Sequence, residues 1–263
     1  MVSYRRCMLW SCRAALAAIT ICTVSGLGCG RVHSARKSRE AKELLTKAAA
    51  AYAGLNSFSE ETTIRARSIY SDQTVEKVTK TRFWFREPNL FYYEKKGDQS
   101  LVWACDGKRV IAYYPDSNMY RHGSAPPDLA EFFRTVLFDV DGLSELALLA
   151  GGQREDVLTD LQLGDVERVE GVRTRSISGD IASLTGSDED ETEARQTLWI
   201  DTKTHLIRRN RVVIQRHDES MRWEETMHRV EANPDLPDER FQWSPPPEAK
   251  PVPAAQTPPP QRP

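Results

Sequence analysis

The sequence predicts an α+β fold that is mainly β, organised as an antiparallel meander. Three observations carry that prediction. Residues 79–116 concentrate Phe, Tyr, Trp and β-branched side chains with almost no helical period, which suits a pleated surface. Asp106-Gly107 separates two such runs and is a strong hairpin signal. Strand after strand joined by tight turns means antiparallel neighbours rather than a parallel α/β sheet.

The first 29 residues read as an export signal. Arg5, Arg6 and Arg13 precede the apolar, uncharged stretch 14–27, which is shorter than the ~20 residues a spanning helix needs. Gly26-Leu27-Gly28-Cys29 resembles a bacterial lipobox, with Gly26 where an aliphatic residue is usual. That resemblance implies diacylation of Cys29 as the new N-terminus and an anchor in the membrane, since two acyl chains hold durably where one does not. Gly30 in place of Asp points, by the same resemblance, away from the inner membrane and towards the periplasmic face of the outer one. An ordinary signal-peptidase site and an uncleaved signal anchor are the alternative readings.

Removing Arg5, Arg6 and Arg13 with the signal changes 36 basic against 38 acidic side chains to 33 against 38, about −5. Nucleic-acid binding, which needs a basic stripe, is not expected. Past Cys29 only Cys105 remains, so no intrachain disulfide can form and the fold must rest on its core. Cys105 lies in a strand beside Trp103 and reads as a buried, inert thiol.

Residues 30–37 form a basic tether, and the domain is expected over 38–247. Ser38 with Glu40 behind it predicts a helix start; Leu44, Leu45, Ala48, Tyr52 and Leu55 continue at helical spacing until Gly54 and Asn56. Strands are then predicted over 58–70, 74–85, 90–94, 101–105, 108–114 and 119–122. In the first, Thr62, Ile64, Ala66, Ser68 and Tyr70 share one face. Helices are predicted over 126–137 and 142–150, the first from Leu129, Phe132, Phe133, Val136 and Leu137. Strands resume over 160–169, 172–181, 194–200, 205–215 and 220–230. Residues 187–193 make an acidic loop, and Asp201-Thr202-Lys203-Thr204 a hairpin turn. Phe241-Gln242-Trp243 reads as a last anchored piece. The Pro-dense stretch from Ser244 reads as a polyproline-like disordered tail, placed outside the domain from residue 248 to 263.

Catalytic arrangements are scarce. There is no Gly-x-Ser-x-Gly elbow, P-loop or His-Glu-x-x-His. His217, Asp218, Glu219 and His228 cluster in sequence, but a turn and a half-exposed strand are poor settings for a metal, so no metal, cofactor or enzymatic activity is expected. Glu60 and Glu61 point to opposite faces of a strand and cannot work as a pair.

The run Phe83-Trp84-Phe85-Arg86-Glu87-Pro88-Asn89-Leu90-Phe91-Tyr92-Tyr93 is followed by Leu101-Val102 and by Asp106-Gly107-Lys108, leading to Tyr113-Tyr114-Pro115. Together they resemble the LolA/LolB-like family of lipoprotein carriers, as do the initial helix and the closing Phe241-to-Pro246 piece. The resemblance spans residues 41–250. It implies a strongly curved antiparallel sheet, an incomplete β-barrel, covered by the N-terminal helix and the mid-chain helices. Such folds hold acyl chains or lipidated proteins and do no covalent chemistry. Phe83, Phe85, Phe91, Tyr93, Trp103 and Tyr113 are the expected lipid-lining residues, in a monomer. The family's lid-latching arginine immediately precedes the proline; here Glu87 does, with Arg86 one position earlier, which in a strand is the opposite face. An anchored chain cannot shuttle, which favours lipoprotein reception or sorting at the membrane. A regulatory module that senses envelope stress through a membrane protein is the alternative.

Overall fold

The computed structural model describes residues 35–70, 73–97, 99–129, 131–132, 158–181, 192–216 and 219–252. The signal and Cys29 lie outside the described residues, as do His217, Asp218 and most of the acidic loop. Among the described residues no helix is long and apolar enough to cross a membrane.

Helix α1 occupies residues 35–53. Ser38 therefore sits inside it and is not its N-cap. Of the predicted face, Leu45, Ala48 and Tyr52 are buried and Leu44 is partly so, and Ala41 joins them; Ala41, Leu45, Ala48 and Tyr52 are all within 1% of complete burial. Ala41 and Ala48 let the helix lie close to the sheet, while Leu45 and Tyr52 supply the apolar area, at about 1.5–3 kcal/mol for a fully buried side chain of Leu size.

The strands are β1 (Ser57–Tyr70), β2 (Gln73–Arg86), β3 (Leu90–Lys96), β4 (Leu101–Asp106), β5 (Arg109–Tyr114), β6 (Met119–Ser124), β7 (Leu158–Val169), β8 (Val172–Ile181), β9 (Thr192–Asp201), β10 (Ile207–Arg216), β11 (Glu219–Ala232) and β12 (Lys250–Pro251). They form one open sheet in the order β12-β6-β5-β4-β3-β2-β1-β11-β10-β9-β8-β7, which does not close into a barrel. Every pair is antiparallel except β12 with β6. Two meanders, β1 to β6 and β7 to β11, are thus joined through their longest strands, with Phe58 opposite Ala232 and Ile64 opposite Glu225.

The turns follow the chemistry read from the sequence. Asp106 Oδ1 accepts the backbone N–H groups of Lys108 (2.9 Å) and Arg109 (2.7 Å), and Gly107 adopts φ +85°. Asp201 Oδ1 accepts N–H from Lys203 (2.9 Å) and Thr204 (3.4 Å).

Two expectations do not hold among the described residues. The helices predicted over 126–137 and 142–150 are not borne out there: 142–150 lies outside the described residues, and of 126–137 only Leu129, Glu131 and Phe132 are helical. There Asp128 Oδ1 accepts the N–H of Glu131 at 2.7 Å; residues 133–157 lie outside the described residues. The Pro-rich tail is also misplaced. Residues 248–252 belong to the fold, since Lys250 N–H donates to Asn118 O (3.0 Å) and Val252 N–H to Tyr120 O (2.9 Å). Proline is tolerated at an edge strand, which explains how such a composition enters a sheet.

Candidate functional site

Strand alternation divides the sheet into an inner face, which carries α1, and an outer face. At one end the inner face is a packed aromatic core. Tyr52 meets Phe58 (ring centroids 5.8 Å), Phe58 meets Phe83 (6.3 Å) and Phe85 (6.0 Å), and Trp103 meets Phe132 edge-on (5.7 Å). Leu198, Ile200, Ile207 and Met227 continue this cluster across β9, β10 and β11.

Halfway along the strands the inner face turns polar. Glu60, Thr62, Thr79, Thr81, Gln196, Asn210 and Glu225 are buried there. Gln196 Nε2 donates to Asn210 Oδ1 (2.7 Å), and Asn210 Nδ2 donates to Glu225 Oε2 (2.9 Å), so one amide relay crosses three strands. Buried polar groups are tolerated where they satisfy one another.

Beyond this band, past the reach of α1, the inner face opens into a groove of about 460 Å³. Ile64, Ala66 and Ser68 of β1, Val75, Lys77 and Thr79 of β2, Lys95 of β3, Gln99, and Met221 and Trp223 of β11 line it. The register makes this wall continuous: Trp223 stands opposite Ala66, and Met221 opposite Ser68. The volume falls in the ~300–1,000 Å³ range of small-molecule sites. The lining pairs an apolar wall on β1 and β11 with two lysines on β2 and β3.

Five of the six expected lining residues, Phe83, Phe85, Phe91, Tyr93 and Trp103, face inward and are buried in the aromatic cluster, next to the groove rather than in it. Tyr113 is on the other face. It pairs with Val102 and Tyr120, whereas its neighbours Ala112 and Tyr114 pack on the inner cluster. The groove residues Ile64, Ala66, Val75, Met221 and Trp223 were not among the expected ones, although the alternation of Ile64, Ala66 and Ser68 was visible.

On the outer face the C-terminal segment is strapped across the sheet. Ser57 Oγ donates to Pro234 O (2.7 Å), and Arg86 Nη1 donates to Leu236 O (2.6 Å). Arg86 also pairs with Asp238 and lies 5.7 Å from the centre of the buried Phe241 ring. Arg240 covers Trp84, which stacks on Tyr92 (4.6 Å). Trp243 packs on Tyr113 (5.6 Å), whose hydroxyl donates to Asn118 Oδ1 (3.0 Å). Arg86 is therefore an outer-face clamp, as its register predicts.

His228 is exposed, with Nε2 2.9 Å from Thr63 Oγ1 and Nδ1 3.6 Å from Glu170. No three metal-ligating side chains converge among the described residues. Burial, with the charge of Asp106 adding to it, pushes the Cys105 thiol above its ordinary value.

No curated protein matches this chain. Among solved structures, lipoprotein LppX of Mycobacterium tuberculosis is similar at 15% identity over 72% of this chain and 94% of that one, with a TM-score of 0.37. LprF of Mycobacterium bovis is similar at 14% identity over 76% and 97%, with a TM-score of 0.41. The MucA/MucB complex of Pseudomonas aeruginosa gives 11% over 78% and 61%, with a TM-score of 0.41. A family model described as "Predicted periplasmic protein (DUF2092)" matches residues 41–254, which takes in α1, all twelve strands but the first residues of the helix, and the strap. The chain belongs to that family of predicted periplasmic proteins.

Proposed function

We propose that this protein is an envelope lipoprotein, anchored through Cys29 at the outer membrane, that receives an acyl chain of a lipid or lipidated protein on the inner face of an incomplete barrel. The observation that carries this reading is the groove between β1, β2 and β11, where Ala66, Val75, Met221 and Trp223 remain accessible above the buried Ile64. Transfer of a sixteen-carbon chain out of water is favourable by on the order of 13 kcal/mol at 0.8 per CH₂. Association offsets ~4–15 kcal/mol of that. Apolar walls alone therefore give useful affinity only if most of the chain is covered, and no reacting group is required.

The test is uptake of pyrene-labelled dodecanoic acid by fluorescence. Ala66→Phe fills the groove and should abolish uptake, while Val213→Phe, on the outer face of β10, should leave it intact. Equal uptake by both variants would refute the site.

A further inference from the structure

We infer that the outer face of the sheet over β2, β1, β11, β10 and β9 is a docking surface for a bilayer that contains anionic phospholipid. This face lies on the side of the sheet opposite the groove, so the inference goes beyond the acyl site and does not depend on its occupant. Cross-strand partners share a face, and the positions in register with Thr63, Arg65 and Arg67 of β1 are all outward. On those five strands they hold Lys80 and the arginines 65, 67, 195, 209, 211 and 222, against two acids, Glu76 and Glu224. Such a surplus runs against the balance of the chain, which past the signal is about −5.

Pairing within the protein does not use up this charge. Glu224 is shared by Arg211 (2.6 Å) and Arg222 (3.0 Å), Glu76 takes Arg67 (3.5 Å), and Arg195 reaches Asp180 on β8 (3.0 Å). Arg65 and Lys80 have no ion pair among the described residues. Arg209 and Arg211 lie 5.4 Å and 4.8 Å from the Trp199 ring, which fixes their guanidinium groups on this face. Arg65, Arg67, Lys80 and Arg222 are exposed, and the three arginines, with Glu76 and Glu224, help to line a hollow of about 190 Å³. Guanidinium groups match phosphate oxygens through paired hydrogen bonds, where a lysine offers a point charge. The surface is about 20 Å across at ~4.8 Å per strand, which suits an array of phosphates rather than one. Val78 (52% exposed) and Val213 (37% exposed) stand among the cations on the same face, opposite Arg65 and Arg222. A soluble anion leaves these valines in water; a bilayer offers phosphates to the arginines and acyl carbon to the valines at once. The chain's family is one of predicted periplasmic proteins, and that compartment is bounded by membranes.

The experiment is co-sedimentation of the full chain with vesicles of phosphatidylcholine alone, and with vesicles in which a third of the lipid is phosphatidylglycerol. Any acyl group or signal on the chain adds equally to parent and variants, so the readout is each variant's preference for the anionic vesicle relative to the parent. The parent should prefer that vesicle, and the preference should fade at high salt. Arg65→Gln/Arg67→Gln/Arg222→Gln should lower it about fivefold for each arginine removed. Lys80→Gln alone should lower it about fivefold and carries the test if the triple variant does not fold. Lys108→Gln/Arg109→Gln/Arg121→Gln, an equal change of charge at the β5–β6 end of the sheet, should leave it intact. No preference in the parent, a preference kept in both face variants, or an equal loss in the two triple variants would overturn the inference. Release by millimolar inorganic phosphate at matched ionic strength would show a free-phosphate site instead. Equal binding to both vesicles, with capture by polyglutamate that the first triple variant loses, would show an acidic-protein surface instead. Pyrene-acid uptake by that variant should match the parent's, so failure of this surface and failure of the acyl site are read separately.

Discussion

The hydroxyl of Tyr52 accepts the backbone N–H of Ile207 at 3.2 Å, tying the end of α1 to the start of β10 across 155 residues of chain. Both groups are buried, so the contact fixes where the helix lies on the sheet. Tyr52→Phe preserves the packing against Phe58 but leaves that N–H without its acceptor. The expected loss is about 1–3 kcal/mol, read as a lower urea midpoint at unchanged slope.

Arg86 organises the outer strap. Replacing it with Ala removes the hydrogen bond to Leu236 O, the pair with Asp238 and the cover over Phe241. Residues 233–252 should then become a preferred site of limited proteolysis while the rest of the domain resists. Phe241→Ala, which empties a fully buried position, should cost about 3–5 kcal/mol. An unchanged cleavage pattern in Arg86→Ala would show that the strap holds by packing alone.

Acid stability should depend on Asp201. Burial on its own would raise its carboxyl, but hydrogen bonds from Lys203, Thr204 and Arg208 outweigh that and hold it below its ordinary value. A folded-state value below the unfolded one means that the contribution is complete above an unfolded value of about 4 and fades as pH falls through the folded value. Asp201→Asn should therefore be less stable than the parent at neutral pH, and the gap should narrow as pH falls below about 4. Urea midpoints from pH 7 to pH 2.5 would show it.

Cys105 should resist thiol reagents at pH 8 in the native protein and react on unfolding, because its thiol is both buried and pushed away from ionisation. Mass mapping of the labelled cysteine distinguishes it from the others in the chain.

The proposed anchor is tested by metabolic labelling with palmitate. Label should enter the mature protein and vanish in Cys29→Ser. Label retained in that variant would exclude Cys29 as its site.

Local chemistry was well written in the chain. The alternation in β1 and the Asp106 and Asp201 turns foretold strand positions, because each depends on neighbours within a few residues. The inward placement of Phe83, Phe85, Phe91, Tyr93 and Trp103 follows from parity within hairpins. Tyr113 broke the series because Trp103 stands opposite Ala112, so the next inward positions on β5 fall at Ala112 and Tyr114. The strap was legible only at Phe241-Gln242-Trp243, which read as an anchored piece, and its contacts and its extension to residue 252 were hidden for a different reason. Its partners, Arg86, Tyr113 and Tyr120, are more than a hundred residues away, and a Pro-rich composition shows only what such a segment does without partners. The groove was hidden likewise: Trp223 and Ala66 meet only through β1 and β11, and no periodicity announces that pairing.

That central pairing has a consequence for the order of assembly. β1 runs from Ser57 and its neighbour β11 ends at Ala232, so the middle of the sheet is completed late, with only the strap and β12 still to follow. Until residues 219–232 are available, β1 has a bare edge and the two meanders have nothing to join them. Contacts this distant in sequence also form slowly. The core is thereby left unfinished until most of the chain is present, with the C-terminal strands acting as the timer.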